Sequence, residues 1–276
     1  MVLALAALAM VAPSSGVDAR PDDEYVSLGD SYTAGPLIPR QVAPFGCLKS
    51  NCNYPNIVNP TLGGAAFRDV SCSGATTDDM FTAQSITGGS NPPQLDALTV
   101  TTTLVTLGIG GNDIGFTEII QNCSTLQPFS SPCRDRYLAG GVDEISRRIN
   151  ETAPKVAAVL AEIRNRAPKA RIFVVGYPQI LPDRGIGCWP TLPIAYRDVP
   201  YLRDKAKELN AMLRTQAGNA GAGYVDTYAP SDGRSACALP TTRWVEPLVP
   251  TNPAAPVHPN RRGMAGVGDV VARAVQ

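Results

Sequence analysis

Histidine is almost missing from this sequence: one occurs in 276 residues, at position 258. A site built on several imidazoles is thereby excluded. No C-x-x-C pair occurs either, so no metal site is expected. Charged residues are sparse, 17%, and balanced, with 24 basic against 24 acidic side chains. That argues against a nucleic-acid partner, a polyanion or electrostatic docking on acidic lipid. No apolar run reaches the ~20 residues that span a bilayer, so stable membrane insertion is not expected. Internal repeats and low-complexity tracts are lacking too.

What is present suits a globular, exported chain. Hydrophobic residues make up 44%, ample for a full core at this length. Met1 to Ala12 is an apolar run followed by small and polar residues ending in Val17-Asp18-Ala19. It resembles an export segment with its cleavage site, although no Lys or Arg precedes it, and a cut is expected after Ala19. Residues 1–19 are read as that signal and 20–276 as one domain. Seven cysteines fit an oxidising, extracytoplasmic compartment, secreted or at the cell envelope, and the odd count leaves at least one thiol over. A monomer is expected.

Strands are predicted at Glu24–Leu28, Arg68–Ser71, Thr103–Ile109, Arg171–Val175 and Tyr224–Asp226, each a short apolar run stopped by turn residues. Helical spacing connects Ile145, Ile149, Val156, Leu160 and Ile163, with a kink or fresh start expected at Pro154. Further helices are predicted over Arg197–Gln216 and over Arg261–Val275, the latter capped by Asn260. Strands alternating with helices imply an α/β fold, a three-layer α/β/α sandwich on a mostly parallel sheet.

In such a sheet the site gathers outside the carboxyl ends of the strands. Gly29-Asp30-Ser31, Ser71-Cys72-Ser73-Gly74 and Gly110-Gly111-Asn112-Asp113 fall at those ends, and His258 precedes the last helix. In this order these blocks resemble the SGNH (GDSL-type) hydrolase superfamily across nearly the whole chain after residue 19. Cys47-Leu-Lys-Ser with Asn53-Tyr54-Pro55, and Asp69-Val-Ser-Cys72-Ser-Gly-Ala-Thr, resemble its secreted, disulfide-bonded actinobacterial esterases, lipases and phospholipases. The G-x-S-x-G elbow of α/β-hydrolases is absent, since the fifth residue from Gly29 is Thr33. The resemblance therefore implies a flavodoxin-like sheet. It also implies the bridges Cys47–Cys72, Cys123–Cys133 and Cys188–Cys237, which leave Cys52 as the extra thiol.

The chemistry can also be argued from residue types. A serine hydroxyl needs a base near neutral pH, and His258 is the one imidazole available to Ser31. Attack on an ester carbonyl builds charge on oxygen, which preorganised donors must meet. The resemblance assigns that oxyanion hole to the N–H groups of Ser31 and Gly74 and to the Asn112 amide. Each residue has a plainer alternative: Ser31 or Asn112 as a helix cap, Gly74 and Gly110 as turn residues, His258 as a surface residue. Asp30 and Asp113 are read as structural, bonding neighbouring backbone amides.

One family feature is missing. Many members carry an aspartate three residues before the histidine, and here that residue is Ala255. A triad's third member fixes the imidazole tautomer. We expect the main-chain carbonyl of Ala255 to do so, with that of Pro256 second, and Asp232 or Glu246 as the carboxylate alternatives. The expected function is cofactor-free hydrolysis of small-molecule or lipid carboxylic esters through a Ser31 acyl-enzyme. Acyl transfer and carbohydrate acetylester cleavage at the same site, and an inactive binding module, are the alternatives. Trp189, Tyr196, Tyr201 and Trp244 are candidates for an acyl groove or for plain packing beneath loops.

Overall fold

The computed structural model describes residues 23–276. In chain order its strands are β1 (Glu24–Gly29), β2 (Gln41–Val42), β3 (Lys49–Ser50), β4 (Ala66–Asp69), β5 (Gln84–Ile86), β6 (Gly89–Asn91), β7 (Leu104–Gly108), β8 (Arg171–Val175) and β9 (Gly223–Val225). Its helices are α1 (Ser31–Ala34), α2 (Tyr54–Val58), α3 (Phe116–Cys123), α4 (Pro132–Leu138), α5 (Glu144–Arg166), α6 (Asp198–Asn219) and α7 (Arg261–Val275). The pairs β2–β3 and β5–β6 are small antiparallel ribbons. The other five strands form one parallel sheet in the order β4-β1-β7-β8-β9. Counted alone along the chain they run 2-1-3-4-5, the flavodoxin-like order, whose switch point lies between β1 and β7.

Every residue of β1 and β7 is buried, as central strands covered on both faces require. On one face α5 and α6 bring Ile149, Val156, Leu160, Leu209 and Leu213 against Val26, Leu28, Val105 and Leu107. On the other, α2 and α7 bring Tyr54, Met264, Val267 and Val271 against Tyr25 and Leu104. The expected α/β/α sandwich is therefore the fold found. The predicted strand over Arg68–Ser71 sits two residues early, at Ala66–Asp69, on the sheet edge where partial exposure weakens the apolar signal.

Two local alternatives are decided by the structure. Helix α5 runs unbroken through Pro154, with no fresh start. A mid-helix proline costs about 3 kcal/mol, but the stripe from Ile145 to Ile163 is buried on both sides of it and outweighs that loss. Helix α3 starts at Phe116 with Gly115 at its cap, so Asn112 caps nothing. Asn260 does cap α7, its side chain accepting the Gly263 N–H at 3.0 Å. The three expected bridges, Cys47–Cys72, Cys123–Cys133 and Cys188–Cys237, are formed, and Cys52 is free. The expected export segment, residues 1–19, lies outside the described residues.

Candidate active site

The site forms at the switch point. Strand β1 ends at Gly29, whose φ of +157° and close neighbours admit no side chain: a Cβ there would lie 2.3 Å from Thr33 Oγ1 and 2.7 Å from the Gly108 carbonyl. Buried Gln94 finishes the strand, accepting the Gly29 N–H at 2.7 Å and donating to its carbonyl at 2.9 Å. The chain then turns into α1, capped by Asp30, whose Oδ1 accepts the Tyr32 N–H at 2.8 Å. Asp30 thus does the capping, and the Ser31 hydroxyl is left for another partner.

That partner is His258. Its Nε2 lies 2.8 Å from Ser31 Oγ, and its Nδ1 lies 2.8 Å from the Pro256 carbonyl oxygen. A carbonyl only accepts, so Nδ1 carries the proton and Nε2 is the free lone pair facing the serine hydroxyl. The orienting carbonyl is thus Pro256, not Ala255, the first choice of the sequence reading. The Ala255 carbonyl is taken by the backbone N–H of His258 at 3.2 Å. Val257 between them has φ +60°, which turns the Pro256 carbonyl back towards the ring.

Neither alternative carboxylate reaches the imidazole. Asp232 is exposed. Glu246 is fully buried but occupied: Oε2 accepts the Thr251 and Asn252 N–H groups, and Oε1 accepts the amides of Asn252 and Asn260. Burial raises its pKa, but those bonds outweigh it and hold the carboxyl below the usual range. Burial also holds the His258 pKa below the ordinary imidazole value, against an upward pull from the Pro256 carbonyl, so the ring is neutral at neutral pH.

The expected oxyanion-hole groups lie around this pair. Asn112 follows β7 and donates one amide N–H to the Ala75 carbonyl at 2.8 Å, which fixes the amide beside the Gly74 turn. Gly74 has φ +83°, a turn conformation that glycine adopts freely. Among the described residues, the backbone N–H groups of Ser31 and Gly74 have no protein acceptor. Asp113 ties the two loops together, accepting the Thr77 N–H and hydroxyl. Its partner is thus distant in sequence rather than adjacent.

Sequence reasoning missed the aromatic scaffold beneath the pair. Buried Tyr177 donates its hydroxyl to Asp30 Oδ2 at 2.5 Å and accepts the Gly111 N–H at 2.8 Å, so it joins the first and third blocks. Burial pushes the Asp30 carboxyl up to about 7, against its bonds from Tyr177 and the Tyr32 N–H. Tyr32 packs edge-on against Tyr177, 5.2 Å between ring centroids, and its own ring lies 5.1 Å from that of His258. The signal for Tyr177 was its place in Gly176-Tyr177-Pro178, directly at the carboxyl end of a central strand.

Ser31 and Asn112 open onto a cavity with about 920 Å³ of space, the solvent at its mouth included. Its walls are mainly aliphatic, with Ile114, Ile119 and Ile120, Ile180 and Leu181, Leu192 and Ile194, and Leu202, Ala206 and Leu209 along α6, joined by the rings of Tyr32, Phe116, Tyr177 and Tyr228. Arg203 and Lys205 are its cations; Lys205 pairs with Asp143 and Glu208, and Arg203 donates to the Pro182 carbonyl. None of the four aromatics proposed for a groove lines it. Trp189 donates to the Thr125 carbonyl, Tyr196 packs edge-on against Phe129, Tyr201 donates to Asp143, and Trp244 is buried against α7. Side chains from several separate segments form the wall instead, a convergence that no single stretch of sequence displays.

Residues 27–265 match the model of the GDSL-like Lipase/Acylhydrolase family. The chain belongs to this family. It is 43% identical over 268 residues to Lipase 2 of Streptomyces coelicolor, covering 95% of this chain and 88% of that protein. Among solved structures, phospholipase A1 from Streptomyces albidoflavus superposes with a TM-score of 0.76 at 25% identity, covering 91% of this chain and 98% of its own. The extracellular lipase from Streptomyces rimosus gives 0.75 at 25% identity, covering 92% and 98%. With family, relatives and fold in agreement, this member is a carboxylic ester hydrolase.

Proposed function

We propose that this chain hydrolyses acyl esters of lipid type through an acyl-enzyme on Ser31. The observation that carries the reading is the continuous line Ser31 Oγ, His258 Nε2, His258 Nδ1, Pro256 carbonyl, both contacts at 2.8 Å, at the mouth of an aliphatic cavity. His258 takes the serine proton as Oγ attacks the ester carbonyl, then returns it to the leaving alcohol. The N–H groups of Ser31 and Gly74 and the free Asn112 N–H receive the oxyanion. Water then enters by the same base and releases the acid. The cavity holds the acyl chain, in keeping with relatives named lipase and phospholipase A1. We place the mature protein, residues 20–276, outside the cytoplasm, because its three bridges persist in oxidising compartments.

The test is a p-nitrophenyl ester series from acetate to palmitate, on wild type and Ser31→Ala. Turnover lost in the variant and rising with chain length in the wild type is the expected result. Turnover that survives Ser31→Ala removes the serine mechanism. A wild type confined to acetate would turn the assignment towards short acyl groups.

A further inference from the structure

Val257 is a β-branched residue held at φ +60°, where the left-handed region is a genuine outlier for such side chains. Strain of this kind persists only where the surroundings hold it. On its N-terminal side the Pro256 carbonyl faces His258 Nδ1 at 2.8 Å. On its C-terminal side the Val257 carbonyl accepts a buried hydrogen bond from the Tyr32 hydroxyl at 2.7 Å. The Val257 N–H makes only a long contact of 3.3 Å to the Pro247 carbonyl. Tyr32 directly follows Ser31, and its ring packs on that of His258 with centroids 5.1 Å apart.

We propose that Tyr32 is a positioning residue: its hydroxyl latches the strained Val257 peptide, so that the Pro256 carbonyl orients His258 in place of a carboxylate. This rests on the reading of Ser31 and His258 as the reacting pair. With the Val257 carbonyl pinned, φ cannot relax without breaking the latch, and the Pro256 carbonyl cannot swing off Nδ1. Because serine and latch are consecutive residues, movement of α1 carries nucleophile and imidazole support together. The missing aspartate is thus replaced by backbone geometry that one phenol maintains.

The experiment is a double-mutant cycle of Tyr32→Phe and Val257→Gly, read by kcat and KM on a p-nitrophenyl ester and by the ¹⁵N shifts of the single histidine. Phenylalanine keeps the ring and loses the latch, so kcat falls about 10- to 100-fold at nearly constant KM, as for a misaimed catalytic group. The neutral imidazole, all Nδ1–H in wild type, becomes a tautomer mixture. Glycine reaches positive φ without strain, so in the Val257→Gly background the loss from Tyr32→Phe shrinks to about threefold or less and the Nδ1–H tautomer returns. An equal loss in both backgrounds, or an unchanged tautomer, overturns the proposal. Should Tyr32→Phe alone fail to fold, the double variant decides: folding restored by Val257→Gly, with kcat near that of Val257→Gly alone, supports the latch, whereas a double variant that still fails to fold, or that carries a tenfold deficit, refutes it. Ser31→Ala, assayed in parallel, separates failure of the latch from failure of the serine mechanism, since only the latter leaves that variant active.

Discussion

Replacing Ala206 with phenylalanine tests whether acyl chains lie along α6. Ala206 faces the cavity between Leu202 and Leu209, on one stripe of the helix. The Leu209 end adjoins the catalytic loops: a Cβ on Gly110 would lie 4.0 Å from Leu209 Cδ1, and Asn210 accepts the Tyr177 N–H at 2.8 Å. Leu202 is then about 10 Å farther along the axis, with Ala206 about midway. Each methylene buried on this wall contributes about 0.8 kcal/mol, roughly fourfold in kcat/KM. A ring at position 206 that displaces about four methylenes costs about 3 kcal/mol, or roughly 200-fold. The expected result is kcat/KM for p-nitrophenyl palmitate down by that order, with acetate within about twofold because it ends short of the block. The assay is kcat/KM for acetate, butyrate, octanoate and palmitate on both proteins, with Tm as the folding control. A variant profile parallel to wild type at every length would place the chain elsewhere and refute the reasoning.

Asn112→Ala removes one of the proposed oxyanion donors and should lower kcat about 100- to 1,000-fold with little change in KM; a rise in KM alone would make the amide a ground-state contact. Burial holds the His258 pKa below the ordinary imidazole value, so the midpoint of the acid limb of kcat/KM against pH should lie below 6.5; a midpoint at or above 6.5 contradicts the site. The same group contributes stability that is present above pH 6.5 and lost as pH falls through its folded value. Glu246→Gln should cost about 2–3 kcal/mol of stability, read by denaturant midpoint, while sparing turnover; a loss as deep as that of His258→Ala would make Glu246 the triad acid. Converting Cys188 and Cys237 together to alanine opens a loop of 49-residue separation and should cost about 4 kcal/mol, or roughly 10 °C in Tm.

The parts legible in the sequence were those encoded locally. Central strands such as Arg171–Val175 and the last helix appeared with their observed bounds, because an apolar run or a capped stripe is a local pattern. Ser31, Asn112 and His258 were singled out by the resemblance of their blocks, taken in order along the chain, to the SGNH family, since none of the three stands out alone; the structure brings Ser31 Oγ and His258 Nε2 to 2.8 Å. The small ribbons, α3 and α4 escaped, being short elements placed by tertiary contact, with too few turns for a period to stand out. The aliphatic cavity escaped for the same reason, since its walls come from separate loops and helices. The choice between Ala255 and Pro256 turned on a single backbone angle at Val257, and a valine in sequence gives no warning of φ +60°.

The absent aspartate has a chemical consequence beyond orientation. A carboxylate beside an imidazole raises its pKa by favouring the charged ring. The Pro256 carbonyl is neutral, so burial prevails and His258 stays deprotonated to lower pH. In the proposed mechanism the base is then fully available but intrinsically weaker, and the imidazolium formed during attack meets only a carbonyl dipole. The proposed mechanism then leans more on geometry, and a buried carboxylate serves the stability of the loop rather than the chemistry. Glu246 gathers Thr251, Asn252 and Asn260 around itself, and its backbone N–H donates to the His258 carbonyl at 2.9 Å. Asn260 in turn caps α7, so the histidine loop is fastened to the helix behind it. The negative charge that a triad spends on the imidazole is used on the loop that carries it.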